Sequence, residues 1–134
     1  QKQNHGIAFS MPVTELVGSR HIKSKSPESN REENTMYQAI YTIVDKGKAE
    51  IAIDAATAAG ARGGTIMNGR GSGIHETNIL FAMPIEPEKE IVLILSEEKS
   101  TNAIVDSIRK ELNIDEPGNG IIYILNVNKT FGLF

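Results

Sequence analysis

The stretch GARGGTIMNGRGSG, residues 60–73, holds Gly60, Gly63, Gly64, Gly69, Gly71 and Gly73, half of the twelve glycines in the chain. Glycine forgoes side-chain packing and costs backbone entropy, so such a cluster marks left-handed turns or a backbone that approaches a ligand closely. The chemistry it could do is to present successive N–H groups to an anion, above all a phosphate. A second glycine turn, Pro117-Gly118-Asn119-Gly120, strengthens that signal, and Arg70 and Lys129 are the cations nearest the two motifs in sequence. Neither of the common phosphate loops is present. Gly64 and Gly69 have the glycine spacing of a Walker loop, but Arg70 and Gly71 follow where a lysine and a hydroxyl residue belong. GRGSG is G-x-G-x-G, not G-x-G-x-x-G. The cluster leads into a long loop, so a phosphate site at a helix N-terminus does not apply.

Other chemistries find less support. The chain has no cysteine, which excludes a thiolate nucleophile, a thiolate zinc site and a disulfide scaffold. No nucleophile–base pair or catalytic carboxylate pair can be placed together, and Asp115 and Glu116, beside the second glycine turn, have no evident partner. His75 and Glu76 are adjacent on a loop, but a metal site needs three or four converging ligands. The expectation is therefore a protein that is not an enzyme and holds no metal or resident cofactor. A net charge of −3 and a pI near 5.6 speak against a general nucleic-acid binder. No run approaches the roughly 20 apolar residues of a membrane helix, so membrane insertion is not expected. QKQNHG has no signal-peptide core, and a cytoplasmic location is the default expectation.

The elements that must position these residues follow from periodicity. Residues 37–45, YQAIYTIVD, read as a buried strand. Residues 48–59 are alanine-rich, place Ile53 and Ala56 at helical spacing and end at Gly60, a good helix stop. Residues 64–68 form a second strand inside the glycine cluster. Residues 90–96, EIVLILS, read as a central strand, and residues 100–112 as a helix with Ile104, Ile108 and Leu112 on one stripe. Ser96 or Ser100 is the expected N-cap. Residues 121–127, IIYILNV, are the last strand. The order β-α-β-β-α-β predicts an α+β, ferredoxin-like fold, with one antiparallel sheet and two helices on one face. The connection from Gly69 to Lys89 is roughly twenty residues, a length that is more often functional than idle. Within it, residues 79–83, ILFAM, are read as the start of the central strand and part of the core, with a docking patch as the alternative. Residues 86–90, EPEKE, are read as a solvated turn.

One internal echo stands out. Residues 6–18 align without a gap with residues 120–132: Gly6 with Gly120, Ile7 with Ile121, Phe9 with Tyr123, Val13 with Val127 and Gly18 with Gly132. Residues 19–35 hold a single aliphatic side chain, Ile22, among many charges and read as a linker. The expected organisation is a strand-like C-terminal remnant of a similar preceding unit over 1–18, a linker over 19–36, and one domain over 37–134.

From residue 37 onward the sequence resembles the PII-type nitrogen-regulatory signalling proteins. AAGARGGTIMNGRGSG resembles the family's second strand, in which a G-x-T segment leads through K-G-x-G into the long T-loop. Thr65, Gly69 and Gly71 match that pattern. PGNGIIYIL resembles the family's B-loop and last strand, with Gly118 and Gly120 on its glycines. The resemblance implies a homotrimer that binds a small effector, ATP, ADP or AMP, in clefts between subunits and docks on a target enzyme, transporter or regulator through the T-loop. Carried over residue by residue, the candidate nucleotide-binding set is Gly64, Thr65, Gly69, Arg70, Gly71, Gly118, Asn119, Gly120 and Lys129. The candidate partner-binding loop is Ile74, His75, Glu76, Ile79 and Leu80. Three positions depart from the family pattern: Asn68 stands for the K-G-x-G lysine, Asn119 for the B-loop aspartate, and Ile121 for the B-loop lysine. Residues 75–84 contain no tyrosine, so uridylylation is not expected. A trimeric ferredoxin-like interaction module without a nucleotide site and a divalent-metal-binding stress protein of related fold are the alternatives.

Overall fold

The computed structural model describes residues 5–13, 18, 37–73, 78–80 and 83–133. The expected linker, Ile74, His75 and Glu76 lie outside the described residues. In chain order the elements are β1 (Ala8–Ser10), β2 (Tyr37–Asp45), α1 (Ala49–Ala58), β3 (Thr65–Arg70), β4 (Asn78–Leu80), β5 (Met83–Ile85), β6 (Glu88–Glu97), α2 (Glu98–Glu111), β7 (Ile121–Val127) and β8 (Lys129–Phe131). The main sheet has the order β3-β6-β2-β7 and is antiparallel throughout. With α1 and α2 packed on each other and on β2 and β6, this is the expected ferredoxin-like arrangement.

Strand alternation explains the layering, because successive side chains point to opposite faces. Ile40, Thr42 and Val44 of β2, with Val92, Ile94 and Ser96 of β6, are buried and share one face, where Ile40 lies opposite Ile94 and Thr42 opposite Val92. Ala49, Ala52, Ala55 and Ala56 of α1 and Ile104, Ile108 and Leu112 beside them complete the core. Alanines keep α1 thin enough to touch both the sheet and α2; Ser107 of α2 donates to the Ala55 carbonyl at 2.7 Å. Gly60, with φ of 104°, ends α1 as expected, and the Ala61 N–H closes the turn on the Ala56 carbonyl at 2.9 Å.

Three local expectations are corrected. Helix α2 starts two residues early, with Glu97 at its N-cap position and no side-chain cap. Ser96 is a strand residue aimed into the core, and its hydroxyl shares a buried 2.8 Å hydrogen bond with Thr101. Residues 88–90 are not a solvated turn but the start of β6, because β3 and β2 flank them: Glu88 pairs with Arg70, and Lys89 with Gly69 and Asp45. Residues 79–83 do not begin the central strand. Asn78–Leu80 and Met83–Ile85 pair with each other in a separate two-stranded ribbon, with Pro84 opposite Ile79. Among the described residues no helix is long and apolar enough to cross a membrane.

The core contains one mismatch. Thr42 is fully buried at the centre of β2, and among the described residues its hydroxyl has no hydrogen-bond partner. An unpaired buried hydroxyl costs about 1–3 kcal/mol. Thr42→Val should therefore raise stability by about 1 kcal/mol, read as a higher urea midpoint at unchanged slope; a lower midpoint would show that the hydroxyl is satisfied in solution.

Candidate functional site

The antiparallel order gathers four strand ends at one pole of the sheet: the C-terminal ends of β3 and β2 and the N-terminal ends of β6 and β7. Gly69, Lys89 and Asp45 form one cross-strand row there, and Ile43 faces Ile121 two rows below. The two glycine turns leave from this pole. They enclose a cavity of about 330 Å³ whose walls include Gly71, Ser72 and Gly73 on one side and Gly118, Gly120 and Ile121 on the other, with Asp45 and Lys89 between them. The size lies within the ordinary range for small-molecule pockets.

Each wall is fixed by a different device. At the first wall the Gly71 N–H donates to the Pro87 carbonyl at 3.1 Å, tying the foot of the long connection to the approach to β6. A Cβ on Gly71 would lie 4.0 Å from Lys89 Cγ, an ordinary contact, so this glycine leaves space over the lysine stem. At the second wall Gly120 has φ of 141°, and a Cβ there would lie 2.6 Å from the Ile43 carbonyl oxygen. Only glycine lets this turn press against β2. The Asn119 amide is turned inward and donates to the Asn113 carbonyl at 3.0 Å, tethering the turn to the end of α2. The same segment is braced by Arg109, whose Nε lies 2.8 and 2.9 Å from the two Asp115 carboxylate oxygens.

Lys89 is the functional candidate that sequence reasoning missed. Its side chain is 12% exposed, and its ammonium lies 2.6 Å from Asp45 Oδ1, whose side chain is 49% exposed. Read as part of a charged turn, it looks solvated; extending the alternation of β6 back through Ile91 would have placed it on the sheet. Around it runs a ring of charge. Lys46 binds Glu88 at 2.8 Å, and the Gly47 N–H donates to the Glu90 carboxylate. The Glu88 carboxyl is held below its ordinary value, first by its hydrogen bond from Lys46, then by the Lys46 charge and, less strongly, by Arg70.

The structure brings together part of the candidate nucleotide set. Gly71, Gly118 and Gly120 line the cavity, and Gly69, Arg70 and Asn119 adjoin it. Gly64 and Thr65 do not reach it within one chain. They stand at the opposite end of β3, about 17 Å away by strand rise, where a Cβ on Gly64 would lie 3.2 Å from Ile94 Cγ1. Lys129 also lies beyond the far end of β7, in β8 opposite Ser10. Ile79 and Leu80 fall in β4. Among the described residues no three His, Asp or Glu side chains are grouped to hold a metal ion.

Two expectations follow. Gly120→Ala should destabilise the fold by about 1–3 kcal/mol, the cost of a strained backbone, whereas Gly71→Ala should leave the melting temperature nearly unchanged; equal effects would contradict the two environments. The Glu88 contact with Lys46 is present above the carboxylate range and is lost as pH falls through the depressed value. Lys46→Met should accordingly move the Glu88 carboxyl titration upward in an NMR experiment.

The family described as nitrogen regulatory protein P-II matches residues 37–133. No curated protein matches the sequence. Among solved structures, the crystal structure of Arabidopsis thaliana PII bound to citrate is similar at 20% identity and a TM-score of 0.54, covering 72% of this chain and 80% of that one. At that identity the likeness speaks for the fold, while the family match extends over most of the sequence: the chain belongs to the nitrogen regulatory protein P-II family.

Proposed function

We propose that this protein is an effector-sensing regulator that binds a small anionic molecule, with an adenine nucleotide as the first candidate, in the cavity between its two glycine turns. The observation that carries the reading is the convergence of Gly71–Gly73, Gly118–Gly120 and Lys89 on one cavity at one pole of the sheet. The turns can offer backbone N–H groups to an anion, and Lys89 supplies a cation where Ile121 replaces the lysine expected from the family. The ring of an adenine nucleotide would rest against Ile43 and Ile121. Ligand binding at Gly71–Gly73 would bias the conformation of the connection that starts there, and so the affinity for a partner protein, by shifting populations.

A homotrimer is part of this proposal. The helix-free face of the sheet carries Tyr41, Ile43, Ile91, Leu93, Tyr123 and Leu125, and Tyr41 stacks on Tyr123 with ring centroids 4.9 Å apart. An apolar face of this kind marks an association surface. The second reading is a trimeric interaction module with no effector. It is favoured by one observation, that the Lys89 charge is already neutralised by Asp45.

A thermal-shift screen with ATP, ADP, AMP, cyclic dinucleotides, 2-oxoglutarate and citrate, with and without magnesium, separates the two. A ligand at a hundredfold excess over Kd stabilises by about 2.7 kcal/mol. The expected result is a clear shift with at least one of these, reduced in Lys89→Gln and in Gly71→Val. No shift with any of them would leave the interaction module.

A further inference from the structure

Lys89 stands between two unlike neighbours. In the row Gly69–Lys89–Asp45 the strand on one side offers a glycine and the strand on the other a carboxylate. The ammonium is turned to the carboxylate and lies 2.6 Å from Asp45 Oδ1. The glycine flank holds no side chain, and Gly71 leaves further space over the lysine stem. Both members of the ion pair line the cavity between the glycine turns.

The two members are unequally placed. The Lys89 side chain is mostly buried, while that of Asp45 is half exposed. In the other ion pairs of the described residues the cation, Lys46, Lys99 or Arg109, is more than half exposed. A mostly buried ammonium has lost much of its water and needs an anion beside it to stay charged. A half-exposed carboxylate has lost less and can turn out to solvent at small cost. Lys89 therefore requires an anion, but it does not require this one. Asp45 is the last residue of β2, and its place in the row is set by the backbone ladder rather than by its side chain.

We propose that Asp45 is a built-in competitor of the effector: its carboxylate occupies Lys89 in the empty protein, and an anionic group of the ligand displaces it. The ligand reaches the ammonium from the open glycine flank while Asp45 turns to water. Apparent affinity is reduced by the fraction of molecules in which Lys89 is open, so Asp45 sets the concentration at which the protein responds. The exchange also removes one tie between the β2–α1 turn and β6, leaving those of Lys46 to Glu88 and of the Gly47 N–H to Glu90. The inference rests on the effector reading above, and it makes the neutralised charge of Lys89 a set point rather than an objection.

The test is a double-mutant cycle on the full chain, with ADP and citrate as probes in calorimetric titrations. Asp45→Asn keeps the size of the side chain and an oxygen acceptor for Lys89 but removes the competing charge. It should bind whichever probe the wild type binds, and more tightly by roughly tenfold, about 1.4 kcal/mol. A tenfold gain corresponds to Asp45 holding Lys89 about nine-tenths of the time. Lys89→Gln should weaken binding. Adding Asp45→Asn to Lys89→Gln should gain less than about twofold, because no ammonium is left to compete for. A gain of equal size in both backgrounds would be a general effect of removing one negative charge and would overturn the proposal. So would an unchanged or weaker affinity in Asp45→Asn where the wild type binds, and the effector reading would then stand without it. Binding by Asp45→Asn of a probe that the wild type leaves free would support both. Binding by neither would sink the effector reading and the competition together. If Asp45→Asn does not fold, Asp45→Ser takes its place.

Discussion

The rest of the structure depends on β2 being hydrogen-bonded along both edges. Its residues Tyr37–Asp45 pair with β6 over their whole length and with β7 from Tyr37 to Ile43. A strand in that position cannot shift against one neighbour without losing its register with the other. The helix side of the ladder fixes the core. The ladder's end fixes the pole, because Asp45 and Ile43 can border the cavity only if β6 and β7 hold their register. A one-residue slip of either neighbour would send Lys89 or Ile121 to the opposite face.

The two faces of the sheet have different partners. α1 and α2 cover one face with alanines and isoleucines, and the buried Ser96–Thr101 hydrogen bond stitches β6 to the start of α2. The other face has side chains just as apolar, and among the described residues no helix lies over it. β7 is the extreme case, since it lies at the margin of both layers and is exposed at Ile121 and from Tyr123 to Asn126, while Ile122 packs against the core.

The fold was legible in the sequence because it is written in periodicity. β-branched and aromatic content marks β2, an unbroken apolar run marks β6, the i, i+4 stripe of Ile104, Ile108 and Leu112 marks α2, and Gly60 marks where α1 stops. The site was legible only in part. Glycines 60–73 look alike as letters but do different work: Gly60 and Gly63 turn with positive φ, Gly64 gives way to Ile94, and Gly71 leaves space above Lys89. Those roles depend on which neighbours arrive from other strands, which spacing does not encode. Lys89 was hidden for the same reason, since its partner Asp45 lies 44 residues earlier. The tie of the Asn119 amide to the Asn113 carbonyl at the end of α2 was hidden in the same way.

The turn between β2 and α1 is stapled to the first residues of β6. Lys46 holds Glu88, Asp45 holds Lys89, and the Gly47 N–H holds Glu90. The outgoing foot is tied to the returning one through Gly71 and Pro87. The connection that emerges between them is therefore closed at its base by contacts that belong to the domain rather than to itself. Closing a flexible loop becomes harder only slowly with length, about 0.6 kcal/mol for each doubling. A base of this kind lets the excursion above it be lengthened, shortened or rewritten with little effect on folding.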